Sequence, residues 1–319
     1  MKFWARRRNR IMVGLASLVV IALGVFLSDP YIRILQLKQV RLLIHGYSRH
    51  ALETRDGRFF YYVGCPECGG TPLIFIHGLG MSSEQWEDEM VELSGRRPVC
   101  AVELLGFGRS LDESVPEAAY GIDLFSRQVE AVRRTLGWPR VILAGVSLGG
   151  WVAIDVALQH PTEVAGMILV APGGVSPDTS GRRWDELITT FNYHTPSEFR
   201  RFTNKFILHE PRYLPDLVGM IAVWKAERGG FRPFLKNVRF QPWFADQVRN
   251  LSMPTAIIWG KQDKVFPFTG ALYLKSQVKQ SRLFAVDDAG HALLFEEPGR
   301  SMELFRRAIQ FLNSYTGDP

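Results

Sequence analysis

Cysteine is scarce in this chain of 319 residues: only Cys65, Cys68 and Cys100 occur. Three thiols cannot build a disulfide scaffold, and Cys65-Pro66-Glu67-Cys68 has no second pair with which to complete a zinc site. That pair, in an expected hairpin between strands, leaves two readings open, a short-loop disulfide or two free thiols. Repeats, low-complexity tracts and long linkers are also missing, so the length points to one catalytic-sized domain with an insertion rather than two equal domains. Net positive charge beyond the first ten residues is nearly absent. Of the net +6, Lys2, Arg6, Arg7, Arg8 and Arg10 supply +5 before any acidic residue appears. A nucleic-acid binder carries its basic residues on the folded surface, so no nucleic-acid partner is expected.

Long apolar runs are rare as well. The exception, Ile11 to Leu27, contains no charged residue and falls inside the length range of a membrane-spanning helix. Gly24 to Pro30 offers no Ala-x-Ala-like cleavage site, so the run reads as an uncleaved single-pass anchor rather than a removed signal peptide. Residues 1–10 then form a basic tail, 11–27 the transmembrane anchor and 28–54 a juxtamembrane segment. Basic residues before the anchor favour a cytoplasmic tail, which puts the rest of the chain outside the cytoplasm, in the periplasm if the source is bacterial. Within the juxtamembrane segment, Ile34–Ile44 mixes apolar and basic residues. It suits a helix lying on the membrane surface and, equally, a packed connecting helix.

Beyond residue 45, short apolar runs alternate with helical stretches, the pattern of an α/β protein with a mostly parallel sheet and crossover helices. Phe59–Val63 reads as an early antiparallel strand. Leu73–His77, Val99–Glu103, Val141–Val146, Met167–Ala171, Thr255–Gly260 and Arg282–Val286 read as buried parallel strands, with Cys100 inside the second. The alternation breaks between residues 175 and 250, a helical, aromatic-rich stretch too long for a loop. The chain therefore divides into a core of residues 55–174 and 251–319 and a helical cap of residues 175–250. Residues 182–249 hold twelve basic and seven acidic side chains, a balance suited either to an anionic bilayer surface or to plain solvation.

Gly145-Val146-Ser147-Leu148-Gly149 follows the apolar strand VILAGV and opens a helical stretch. This is the strand–turn–helix setting of a nucleophile elbow, in which Ser147 would be the nucleophile. Serine needs a base to take its proton. His291, in Asp288-Ala289-Gly290-His291, follows the last expected strand and is the candidate. The base needs an acid to fix its tautomer, and Asp263, just after the strand ending at Gly260, fits better than Asp287 or Asp288, which lie too near His291 in sequence. His77-Gly78-Leu79-Gly80 closes another strand; His77 is assigned no proton transfer there. An oxyanion needs two aimed N–H donors, and the backbone N–H groups of Leu79 and Leu148 are the natural pair.

With these residues in view, the chain resembles the α/β-hydrolase superfamily, and more narrowly the membrane-anchored monoacylglycerol lipases of the α/β-hydrolase-domain group. The matching stretches are IHGLGMSSEQW (76–86), ELLGFGRS (103–110), GVSLGGWVA (145–153), IIWGKQDKVF (257–266) and DAGHALLFEEP (288–298). The resemblance implies an α/β-hydrolase fold with an inserted helical cap behind an N-terminal transmembrane helix. It also implies a Ser147–Asp263–His291 triad and a carboxylic-ester substrate. Glu103 departs from the pattern, which has aspartate before the Gly-x-Gly-x-Ser turn; in the family that position stabilises a loop. The expected protein is a membrane-anchored serine hydrolase of lipid esters, monoacylglycerol-like or short acyl, with the bilayer as partner and neither metal nor organic cofactor. The rival readings are a hydrolase of small soluble esters or of carbon–carbon bonds, and a catalytically idle binding protein on the same fold.

Overall fold

The computed structural model describes residues 30–175, 182–206, 215–238 and 247–318. The expected basic tail and anchor, residues 1–27, lie outside the described residues. Among those described, no helix is long and apolar enough to cross a membrane.

Helix α1 (Pro30–Ile44) leads into β1 (Tyr47–Thr54) and β2 (Gly57–Gly64). β3 (Leu73–Ile76), a 3-10 turn (Ser83–Trp86), α2 (Glu87–Leu93), β4 (Val99–Val102), α3 (Ile122–Thr135), β5 (Val141–Val146), α4 (Leu148–Gln159) and β6 (Val164–Val170) follow. The helices α5 (Arg182–Phe191), α6 (Pro196–Phe206), α7 (Pro215–Ala226) and α8 (Phe231–Asn237) all fall between β6 and β7 (Thr255–Gly260). α9 (Thr269–Gln277), β8 (Ser281–Val286), the single turn α10 (Leu293–Glu296) and α11 (Pro298–Thr316) complete the chain.

Eight strands form one sheet in the order β1-β2-β4-β3-β5-β6-β7-β8. β2 pairs antiparallel with β1 and β4, and every other pairing is parallel. β3 to β7 are buried along their whole length, which is why they read as unbroken apolar runs: helices cover both faces. Alternate residues of one strand serve opposite cores. Leu143 joins Phe125, Val152 and Leu274, whereas Ile142 and Ala144 join Trp86, Met90, Phe305 and Leu312. Because β4 and β5 flank β3, successive crossovers leave in opposite directions there. The crevice at the carboxyl ends of β3 and β5 is the topological switch point, where open α/β sheets bind their ligands.

Two features differ from the sequence reading. Residues 47–54, assigned to the juxtamembrane segment, form the edge strand β1. Four consecutive residues of that strand are exposed, so no apolar run or clean alternation marks it. The Cys65–Cys68 pair, joined as a disulfide, lies in the connection from β2 to β3. That connection is not a hairpin, because β4 sits between the two strands.

α1 is a packed connecting helix on one of its faces. Leu42 is buried, Lys38 pairs with Glu87 at 3.0 Å and Arg41 with Asp88 at 2.8 Å, so one face docks on α2. Leu37, Val40, Leu43 and Ile44 point outward, between 51% and 76% exposed. The neighbouring Glu89 of α2 is buried, and burial pushes its carboxyl up to about 7. A raised carboxyl favours the folded state fully below the ordinary carboxylate value and loses that contribution as pH climbs through 7. Glu89→Gln should therefore gain on the order of 3 kcal/mol over the wild type at pH 8 and almost nothing at pH 4.5. Thermal melts at the two pH values check this; an equal shift at both would show that the charge is not the cause.

Candidate active site

The turn after β5 is strained in the way its glycines allow. Ser147 sits at φ 54° and ψ −114°, a region that L-residues rarely enter. A Cβ at Gly145 would lie 2.2 Å from the carbonyl oxygen of Gly149, and one at Gly149 would lie 2.1 Å from that of Ile76. Both positions therefore require glycine, and the second shows why: the start of α4 is pressed against the end of β3. β3 and β5 are in register with Ile76 opposite Gly145, so the residues after β3 emerge beside Ser147.

The side chains named from sequence come together. His291 Nε2 lies 3.0 Å from Ser147 Oγ, and His291 Nδ1 lies 2.8 Å from Asp263 Oδ2. The carboxylate is fixed from behind: its Oδ1 accepts the N–H groups of Val265 and Phe266, each at 2.8 Å. The Asp263 side chain is fully buried, whereas that of His291 is 14% exposed. Phe266 meets the imidazole edge-on, with centroids 5.2 Å apart. Asp287 instead pairs with Lys261 at 2.6 Å. Three loops thus deliver the serine, the carboxylate and the imidazole to one point, after β5, β7 and β8 respectively.

The loop after β3 is equally determined. His77 is wholly buried. Its Nε2 accepts the N–H of Leu104 at 3.0 Å, so Nδ1 carries the proton and donates to Gly78 O at 2.8 Å. Burial holds the ring neutral, its pKa lowered to about 4, and no lone pair is left for proton transfer. The N–H of Met81 also donates to Gly78 O, at 3.1 Å. Since a peptide unit is planar and trans, pinning this carbonyl turns the Leu79 N–H to the opposite side. The N–H of Leu148, first residue of α4, has no partner four residues back in its own helix.

Glu103 is completely buried, and burial together with the nearby Glu84 pushes its carboxyl up to about 7. It accepts Ser83 Oγ at 2.9 Å and the N–H of Arg109 at 3.0 Å. It thereby ties the glycine-rich loop after β4 to the turn after β3, a loop-holding role for the longer acid. Sequence reasoning did not single out Gln85, whose Oε1 accepts the N–H of Gly78 at 2.8 Å. Only its place in the stretch IHGLGMSSEQW hinted at a role.

Above Ser147 is a cavity of about 40 Å³. Leu79, Leu148 and Trp151 line it from the core, and Leu187, Ile188, Phe191 and Phe234 from the cap. Several cap aromatics also pack on one another, Tyr193 against Phe199 at 5.0 Å and Phe231 at 5.6 Å, and Phe191 against Phe202 at 4.6 Å. The aromatic richness of the cap thus serves two purposes, a core of its own and the roof of the site.

A mostly parallel sheet with a serine on a strained strand–helix turn at its switch point, under a helical insertion, defines an α/β hydrolase. The chain belongs to the alpha/beta hydrolase family, whose model matches residues 73–303. It is 28% identical over 249 residues to the 2-hydroxymuconate semialdehyde hydrolase of Pseudomonas sp. (strain CF600), covering 74% of this chain and 85% of that one. It is 36% identical over 150 residues to the (lyso)-N-acylphosphatidylethanolamine lipase of Homo sapiens, a match spanning 46% of this chain and 43% of the lipase. Among solved structures, the crystal structure of a membrane phospholipase A, a novel bacterial virulence factor, superposes with a TM-score of 0.77 at 23% identity. It covers 96% of this chain and 99% of that one, a likeness of fold.

Proposed function

We propose that the protein is a serine hydrolase that cleaves carboxylic esters through an acyl-enzyme, working on lipid esters at a membrane surface. The observation that carries the chemistry is the unbroken line Ser147 Oγ, His291 Nε2, His291 Nδ1, Asp263 Oδ2, with separations of 3.0 and 2.8 Å. In this reading Ser147 Oγ attacks the ester carbonyl carbon while His291 Nε2 takes its proton. The resulting oxyanion faces the N–H groups of Leu79 and Leu148, where fixed dipoles stabilise developing charge. The imidazolium, held by Asp263, then protonates the departing alcohol. Water, deprotonated by the same imidazole, releases the acid and restores Ser147.

Two observations support a lipid surface: the charge-free run Ile11–Leu27 that feeds into α1, and the outward row of Leu37, Val40, Leu43 and Ile44. The bilayer then acts as partner as well as source of substrate. The described lining of the cavity above Ser147 is mostly apolar, Leu79, Leu148, Trp151, Leu187, Ile188 and Phe191 among it, which suits an acyl chain. The likeness to a semialdehyde hydrolase favours a second reading in which a compact soluble ester or a carbon–carbon bond is cut.

A substrate profile separates the two. Purified protein is assayed on acyl esters of graded chain length and on a vinylogous diketone, with and without residues 1–28. On the lipid reading, truncation leaves turnover of a water-soluble short ester intact and lowers turnover of long-chain monoacylglycerol in anionic vesicles by about tenfold or more, since each buried methylene adds about 0.8 kcal/mol of membrane affinity. Preference for the diketone, or truncation without effect on vesicles, would establish the second reading.

A further inference from the structure

The 3-10 turn Ser83–Trp86 holds the loop that carries the Leu79 N–H, and it does so at adjacent residues. Gln85 Oε1 takes the N–H of Gly78 at 2.8 Å, which fixes the peptide unit entering Gly78. The unit leaving Gly78 is fixed at its carbonyl by His77 and Met81. With both units pinned, the direction of the Leu79 N–H is determined. Gly78 also lies close to Ser147: a Cβ built there would be 3.6 Å from Ser147 Cβ and 3.5 Å from Gln85 Oε1. A small rotation of this segment therefore moves the donor relative to the reacting carbonyl.

Next to Gln85, the Glu84 carboxylate lies 3.6 Å from Lys225 Nζ of cap helix α7, with side chains 10% and 16% exposed. Glu84 also accepts Ser82 Oγ, and its backbone carbonyl accepts Lys38 Nζ of α1 at 3.0 Å. Ser83 Oγ is held by Glu103. One turn is thus gripped by the cap, by the loop after β4 and by the N-terminal helix. A charge pair removed from solvent is weakly screened and geometrically demanding, so lifting the cap would release one of the three grips.

We propose that Gln85 is a positioning residue for the Leu79 oxyanion donor, and that the Lys225–Glu84 pair makes the geometry of that donor depend on cap closure. The cap then does more than cover the substrate: a closed cap completes the site even for an ester too small to touch it. The inference rests on the ester-hydrolase reading.

The test uses the full chain, a water-soluble short acyl ester and a trifluoromethyl ketone, which forms a tetrahedral adduct with an active serine. Gln85→Met removes the acceptor at similar volume. It should lower kcat about tenfold to a hundredfold, less than the loss of a donor itself, leave KM within about twofold, and weaken the ketone in proportion to kcat/KM. Gln85→Glu keeps the acceptor oxygen and should recover most of the loss. For the cap link, the double variant Glu84→Gln with Lys225→Met avoids leaving a buried charge alone. It should lower kcat and ketone affinity together, by about fivefold or more, on the same small ester. Unchanged kcat in Gln85→Met, or a loss matched by a lower folded fraction with ketone affinity per folded molecule intact, overturns the positioning role. A double variant that alters only KM for large substrates overturns the cap link. A wild type that neither turns over esters nor labels at Ser147 with a fluorophosphonate overturns the functional reading itself, a result separable from either of these.

Discussion

Replacing Ser147 with alanine is expected to leave less than about one part in a thousand of the ester turnover while the protein remains folded. The reason lies in what else the site contains. On the proposed reading, the N–H groups of Leu79 and Leu148 would still favour a tetrahedral intermediate once the nucleophile is gone, and such donors with substrate binding alone retain a residual catalysis over water. The fold should tolerate the change because Ser147 Oγ serves no packing role, its side-chain hydrogen bond being to His291 Nε2. Its strained backbone, at φ 54°, is held by Ser147 N–H to Val170 O at 2.9 Å and by Gly173 N–H to Ser147 O at 2.9 Å, bonds that alanine keeps. The measurement is steady-state turnover beside circular dichroism and a melting curve, with fluorophosphonate labelling as the direct readout. Wild type should be labelled at one serine and the variant at none. Turnover above a thousandth of wild type in a folded, unlabelled variant would mean that another group attacks the ester. An unlabelled wild type would instead favour the idle binding protein.

How much of this was legible beforehand depended on how each element announces itself. The central strands declared themselves because burial on both faces turns them into unbroken apolar runs, as in VILAGV and TAIIWG. The turn at Ser147 was legible because strain leaves a sequence mark: only glycines at 145 and 149 let α4 press against β3. Asp263 and His291 were expected from their places after strand ends, from the chain order after Ser147 and from the family resemblance, and a parallel sheet brings the loops after its carboxyl ends to one side, where the two side chains meet Ser147. What stayed hidden depended on contacts between distant segments. β1 is an edge strand whose partner β2 supplies the burial that its own exposed residues do not display. β4 lies between β2 and β3 although it follows both in sequence. The cap aromatics divided into a private core and a roof over Ser147 only once α5, α6 and α8 were placed. Gln85 and Lys225 escaped notice because an amide and an ammonium carry no motif of their own; their meaning comes from Gly78 and Glu84.

Asp263→Asn is expected to cost about ten-thousandfold in kcat with little change in stability or substrate binding, the order of loss known for the equivalent change in a serine protease. The geometry gives the direction of the effect. Asp263 Oδ1 receives two backbone N–H groups, from Val265 and Phe266, each at 2.8 Å. In the asparagine variant only the amide oxygen can accept those bonds, so it takes the Oδ1 position and the amide nitrogen takes that of Oδ2. That nitrogen then presents an N–H to His291 Nδ1, which in the native enzyme faces a carboxylate at 2.8 Å. A donor facing a donor is not tolerated, so Nδ1 must become the acceptor and the ring proton moves to Nε2. Nε2 is the atom 3.0 Å from Ser147 Oγ; once protonated it cannot take the serine proton. The lesion is therefore one of tautomer rather than position, and it has a signature that a packing defect lacks. Raising the pH should restore part of the activity, because hydroxide can take over deprotonation of Ser147, whereas a displaced imidazole would give a loss independent of pH. Nitrogen NMR of His291 in the two proteins would read the tautomer directly. A variant with Nδ1 still protonated and turnover near wild type would remove Asp263 from the triad.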